Sequence, residues 1–153
     1  MKKSTIALVV LFIAICISGW IFTHRYQSTR HNALVGIDAD HDGVRDDVQA
    51  YIDAKYPAST SIIRKLLRRQ AVITQAALRE AGDREASRTH VAEGIAIQSC
   101  LRAVVGSSEA KQIKDSLMNI LLNTPERTRT YLNRNLGSYI VDSYTAPDTT
   151  CNF

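Results

Sequence analysis

Acidic residues recur at alternate positions in one short stretch of the chain, just before a glycine. The stretch runs from Asp38 to Gln49, and its oxygen-bearing residues are Asp38, Asp40, Asp42, Val44 through its backbone carbonyl, Asp46 and Gln49. Calcium is a hard cation that takes six to eight oxygen ligands. A chain can wrap them around one ion only where a turn residue accepts an unusual backbone angle, and Gly43 meets that need. The spacing therefore predicts a site for a calcium ion.

The order of these residues resembles the calcium loops of EF-hands and, more closely, those of dockerins and thrombospondin type-III repeats. The resemblance covers about 12 of the 153 residues, so it implies a site and not a family-wide function. It implies side-chain ligands at Asp38, Asp40, Asp42 and Asp46 and a backbone ligand at Val44. The alternative is an acidic turn that only caps the helix after it.

Two positions depart from the EF-hand pattern. Gln49 stands where a bidentate acid is usual, which predicts weaker binding, suited to the millimolar calcium outside cells. Arg45 stands where a hydrophobic residue would join a paired loop, and the chain has no second acidic loop. A paired sensor that opens on calcium binding is therefore not expected.

An apolar segment at the N-terminus predicts where the chain resides. Lys2 and Lys3 precede the run Ile6 to Phe22, which has no charged residue. At about 1.5 Å per helical residue, this run nearly spans a hydrocarbon core. We predict a signal anchor or signal peptide over residues 1–22, which would hold the chain in the inner membrane with the rest facing the periplasm or exterior. Cleavage of the segment and secretion is the alternative.

The remainder divides into a polar juxtamembrane tether, residues 23–35, and one helical domain, residues 36–153. In a compartment that permits disulfides, Cys100 and Cys151 are expected to bond to each other. The alternative is a pair of buried, unbonded thiols.

Helical periodicity and stop signals predict an all-α fold, a small bundle of four or five helices after the N-terminal apolar helix. The expected helices run from Asp46 or Asp47 to Pro57, from a cap at Ser59 or Thr60 to Gly82, from Asp83 to Gly106, from a cap at Ser107 or Ser108 onward, and from Pro125 to about Gly137.

A basic cluster on the second helix is the main candidate for a partner surface. It consists of Arg64, Lys65, Arg68 and Arg69. Without Lys2 and Lys3, 17 basic residues face 15 acidic ones, so the net charge of the rest is only about +2. Export makes nucleic acid a remote partner, and an envelope protein or anionic lipid is the better prediction. For the cluster as a whole, a solvated helix face is the favoured interpretation, and an anionic partner is the alternative.

No catalytic constellation stands out, and we predict that the protein is not an enzyme. Ser108 and Lys111 match a Ser-x-x-Lys pattern without its companion motifs, and His90 and Glu93 lack the second histidine of a zinc protease. The leading hypothesis is a calcium-binding, membrane-anchored extracytoplasmic protein with a structural or interaction role. The alternative is a small envelope hydrolase or an enzyme inhibitor. A hydrolase would require Ser108, His90 and an acid within hydrogen-bond reach.

Overall fold

The structure is a computed structural model that describes residues 11–21, 33–57, 61–138 and 151. The chain divides into two units, Met1–Ala33 and Leu34–Phe153. In the first unit, residues 11–21 form helix α1, and the predicted apolar run Ile6 to Phe22 lies partly outside the described residues. None of the helices in the described part combines the length and the apolar composition that crossing a membrane requires.

The described residues of the second unit form helices and connecting loops, without a strand. The long helices are α2 (Asp46–Lys55), α3 (Ser61–Arg79), α4 (Arg84–Val105), α5 (Ser107–Leu121) and α6 (Pro125–Ser138). The prediction of an all-α fold is confirmed. The helices also begin and end close to the predicted positions because those positions carry local stop and start signals.

The boundary between α3 and α4 shows how such a signal works. The side chain of Asp83 accepts hydrogen bonds from the backbone N–H groups of Glu85 (2.8 Å) and Ala86 (3.1 Å), which satisfies two of the unpaired donors at the start of α4. The predicted serine cap of α5 is wrong. Gly106, with φ +83°, occupies the N-cap position of α5, and no side chain caps that helix end.

The core lies around α3, which packs mainly against α4 and also contacts α2, α5 and α6. Its largest fully buried apolar side chains are Ile52, Leu66, Leu67, Leu78, Ile97, Leu101, Leu117 and Leu121. Burying one such side chain contributes roughly 1.5–3 kcal/mol. Val44 of the acidic loop and Val48 of α2 belong to the same core, so the loop is held against the bundle at its C-terminal end.

Cys100 and Cys151 are joined. Their Sγ atoms lie 2.14 Å apart and their Cα atoms 5.7 Å apart, which is the geometry of a disulfide. Cys100 is fully buried in α4, and Cys151 packs against the core. The bond therefore fixes a residue near the C-terminus to the centre of the bundle.

Candidate metal centre

Three carboxylates of the acidic loop converge on one point. One oxygen each from Asp38, Asp40 and Asp42 lies within 4.8 Å of the others. Like charges held this close repel each other unless a cation lies among them. The loop therefore brings together the first three side chains that the sequence predicts as ligands.

The loop is curled by its own side chains. The N–H of Gly43 donates to Asp38 Oδ2 (3.0 Å), and the N–H of Val44 donates to Asp42 Oδ1 (2.7 Å). The turn needs positive φ angles at Gly43 (+86°) and at His41 (+60°). Glycine adopts this angle freely, whereas a residue with a side chain such as His41 loses about 1–2 kcal/mol. The loop thus keeps its curled form although the backbone at His41 is strained.

Two side-chain oxygens of the loop are buried and have no hydrogen-bond partner among the described residues. They are Oδ1 of Asp38, at loop position 1, and Oε1 of Gln49, at position 12. A buried acceptor without a partner costs about 1–3 kcal/mol, more when it carries charge. Two further buried oxygens without a partner, Oε1 of Gln70 and Oε1 of Gln75, lie on α3 outside the loop. Carbonyl-type and carboxylate oxygens are the donors that calcium prefers, so the residue types of the loop are those of a calcium site.

The other two predicted ligands have supporting contacts in the loop. Asp46 Oδ1 accepts a hydrogen bond from the N–H of Ala39 (3.0 Å), and the N–H of Asp46 donates to the carbonyl of Ile37 (2.9 Å). Val44 directs its side chain into the core, where it is buried. These contacts close the loop by connecting its first residues to the start of α2.

Arg45, at loop position 8, is buried, with 3% of its side chain exposed. Its guanidinium donates to both carboxylate oxygens of Asp47 (2.5 and 2.9 Å) and to the backbone carbonyls of Ile120 (2.7 Å) and Leu121 (3.3 Å). Those carbonyls belong to the last turn of α5, where helical partners are lacking and the helix dipole favours a cation. Burial alone would raise the pKa of Asp47, but hydrogen bonding and the charge of Arg45 outweigh it and lower that pKa.

A second buried arginine lies beside the first. Arg127 of α6 is 7% exposed. Its guanidinium donates to the carbonyl of Leu34 (2.9 Å) and to Asn123 Oδ1 (2.5 Å). Burial, and then the charge of Arg45, lower the pKa of Arg127, while Asp47 acts in the opposite direction. Two arginines thus join the start of the second unit to the α5–α6 turn.

The residues just before the loop, Leu34 to Ile37, form what we call the entry segment. Arg127 binds the carbonyl of Leu34, Gln75 Nε2 donates to that of Val35 (3.3 Å), and the N–H of Asp46 donates to that of Ile37. Donors from α6, α3 and α2 therefore hold the segment. Sequence reasoning missed this role of Gln75 and Arg127, because neither residue belongs to a local motif.

The predicted basic cluster is largely paired within the protein. Arg64 and Arg68 of α3 both donate to the carboxylate of Asp53 on α2, and Arg69 pairs with Glu93 on α4. The pairs connect α3 to both neighbouring helices. The fourth member, Lys65, is exposed. Binding of an anionic partner at this cluster stays a prediction.

The pairing at Asp53 predicts a pH dependence of stability. Slight burial acts to raise the pKa of Asp53, but hydrogen bonds from Arg64 and Arg68 dominate and lower it. A lowered folded-state pKa gives stability that is present above the ordinary carboxyl pKa and is lost as pH falls through the lowered value. Since Asp53 is 38% exposed, we expect the contribution to be about 1 kcal/mol or less.

The measurement is urea unfolding of the wild type and Asp53→Asn at pH 7 and pH 3. The wild type is expected to be more stable at pH 7, and the difference should shrink at pH 3. Asp115→Asn, which removes the partner of Lys111 within one helix, is the matched control. A wild-type advantage of equal size at both pH values would contradict this prediction.

The groups considered for hydrolysis do not meet. His90 Nε2 lies 2.8 Å from Glu80 Oε2, near the start of α4, whereas Ser108 is in the first turn of α5, beyond the other end of α4. Val105 lies fifteen residues after His90 in the same helix, a distance of about 22 Å along the helix axis. Ser108 and His90 therefore cannot share a proton in this arrangement.

Comparison of the chain with protein-family models, curated proteins and solved structures gives no match.

Proposed function

We propose that the protein binds calcium through the loop Asp38 to Gln49 and acts as a membrane-anchored extracytoplasmic protein with a structural or interaction role. The observation that carries the proposal is the convergence of three carboxylates, on Asp38, Asp40 and Asp42, in a loop that also holds two buried oxygens without a hydrogen-bond partner, on Asp38 and Gln49. Exposed acidic residues are common without an ion, so the proposal needs the buried oxygens as well as the exposed carboxylates. The apolar N-terminal segment supports the anchored location.

In this proposal the ion stiffens the junction between the tether and the helical domain. The three converging carboxylates repel one another, and a calcium ion would neutralise two of their three negative charges. The same loop connects the entry segment to α2. Closing the loop therefore holds the first residues of the helical domain against the start of α2. The ion would act locally, since the chain has a single acidic loop and no paired partner for it.

The proposal is tested by titrating the full chain in detergent with calcium and measuring the heat of binding by calorimetry. Extracellular calcium modules bind with dissociation constants of about 10⁻⁴–10⁻³ M. In that range, 10 mM calcium should stabilise the fold by about 1.4–2.7 kcal/mol, measured as an increase in the melting temperature. Magnesium is expected to bind more weakly because it demands near-octahedral geometry and gives up its waters reluctantly.

The sharpest variant is the double substitution Asp38→Asn, Asp42→Asn. The amide oxygens can still accept from the N–H groups of Gly43 and Val44, so the loop keeps its turn while losing two charges. Calcium affinity should fall by about tenfold or more. Asp115→Asn, an exposed carboxylate on α5, is the control and should bind calcium as the wild type does. If the wild type shows neither binding heat nor a higher melting temperature at millimolar calcium, the proposal is wrong.

A further inference from the structure

Arg45 connects two parts of the protein that are distant in sequence. Its backbone carbonyl accepts the N–H groups of Val48 and Gln49 (both 2.9 Å), which begins α2. Its side chain binds the carbonyls of Ile120 and Leu121, which end α5. One residue therefore fixes the start of one helix to the end of another.

Arg45 also lies between two predicted ligands, since Val44 precedes it and Asp46 follows it. The positions of the Val44 carbonyl and the Asp46 carboxylate depend on the backbone at Arg45, which is itself held by the buried guanidinium. A guanidinium has five N–H donors in a fixed planar arrangement. The guanidinium of Arg45 makes four hydrogen bonds. Little freedom of rotation is left to this part of the loop.

We propose that Arg45 is a positioning residue for the metal site, which keeps the loop closed against carboxylate repulsion by binding the end of α5. The inference rests on the proposed calcium site and adds a specific partner element, the α5–α6 turn. Arg45 contacts no ion itself. Because Arg45 already orders residues 44–46, less conformational entropy is lost when calcium binds. Calcium binding is therefore tighter than it would be for the loop alone.

This coupling has a reciprocal consequence. If the contact between Arg45 and α5 favours the calcium-bound loop, then calcium must favour that contact by the same factor. Calcium should therefore stabilise the last turn of α5, although that turn supplies no ligand. The Leu122 N–H, which donates to the Met118 carbonyl (2.9 Å), reports on this turn.

The first test is hydrogen exchange of the wild-type full chain in detergent, with calcium and with chelator. Calcium is expected to slow amide exchange at residues 121–124 about tenfold, in addition to its effect inside the loop. Residues 84–90, at the start of α4, serve as an internal reference that should not respond. Protection confined to the loop would overturn the inference, and this result needs no variant.

The second test compares Arg45→Met with Arg129→Met. Both replace an arginine by an apolar side chain of similar length, but Arg129 is exposed on α6. Arg45→Met should raise the dissociation constant for calcium about tenfold, and Arg129→Met should leave it unchanged. A purely structural Arg45 would lower the melting temperature in chelator without changing calcium affinity, and that outcome would overturn the inference.

The two proposals fail in different ways. If the wild type binds calcium but Arg45→Met binds it equally well, only the positioning role of Arg45 is lost. If the wild type binds no calcium, the metal site is lost, and the positioning role with it.

Discussion

Replacing Cys151 with serine is expected to lower the free energy of unfolding by about 4 kcal/mol, the largest effect of any single substitution considered. The disulfide joins residues separated by 51 positions, and closing a loop of that length removes much of the conformational freedom of the unfolded chain. Cys151 is the better residue to change, because Cys100 is fully buried and serine there would add an unpaired hydroxyl. Guanidinium unfolding followed by circular dichroism measures the loss.

Cys16→Ser provides the matched control, since Cys16 is an exposed free cysteine and its replacement should leave the unfolding midpoint unchanged. Treating the wild type with dithiothreitol should reproduce the Cys151→Ser midpoint. An unfolding midpoint that is the same with and without reductant would show that the bond contributes nothing to stability.

Substituting Gly36 with alanine is expected to cost about 3 kcal/mol. Gly36 has φ +75°, an angle that disfavours any residue with a Cβ. An added Cβ would overlap Cδ of Arg45 and lie 3.0 Å from Nη2 of Arg127. Neither arginine can move freely, because each guanidinium is hydrogen-bonded to backbone carbonyls. Overpacking of this kind typically costs about 1–3 kcal/mol in addition to the backbone strain.

Gly82→Ala is the control for Gly36→Ala. A Cβ at Gly82 would meet nothing within 4 Å, so this variant should be as stable as the wild type or slightly more stable. Thermal unfolding of both variants, in calcium and in chelator, checks the prediction. Equal melting temperatures for Gly36→Ala and the wild type would mean that the entry segment does not pack on Arg45 as described.

The parts of the fold that the sequence predicts well are those encoded locally. Asp83 caps α4 through atoms two and three residues away, and Pro125 begins α6 where a missing N–H costs nothing. The metal-site candidates are similarly local, because alternate aspartates before Gly43 lie within one turn of chain. About a dozen neighbouring residues are enough to identify these candidates.

The parts that the sequence does not reveal depend on distant residues. Arg45 binds carbonyls 75 and 76 positions away, and Arg127 binds one 93 positions away. An arginine in a polar stretch is normally exposed, so nothing local marks these two as buried. The basic cluster on α3 reads as a free surface for the same reason: Asp53, which pairs with two of its members, lies on another helix.

The entry segment has a consequence for cleavage of the chain by proteases. The carbonyls of Leu34, Val35 and Ile37 are bound by donors that all belong to the second unit. A cut on the N-terminal side of Leu34 removes none of these bonds. A domain released in this way would therefore keep the hydrogen bonds of its first residues, and the acidic loop would keep the same closed form.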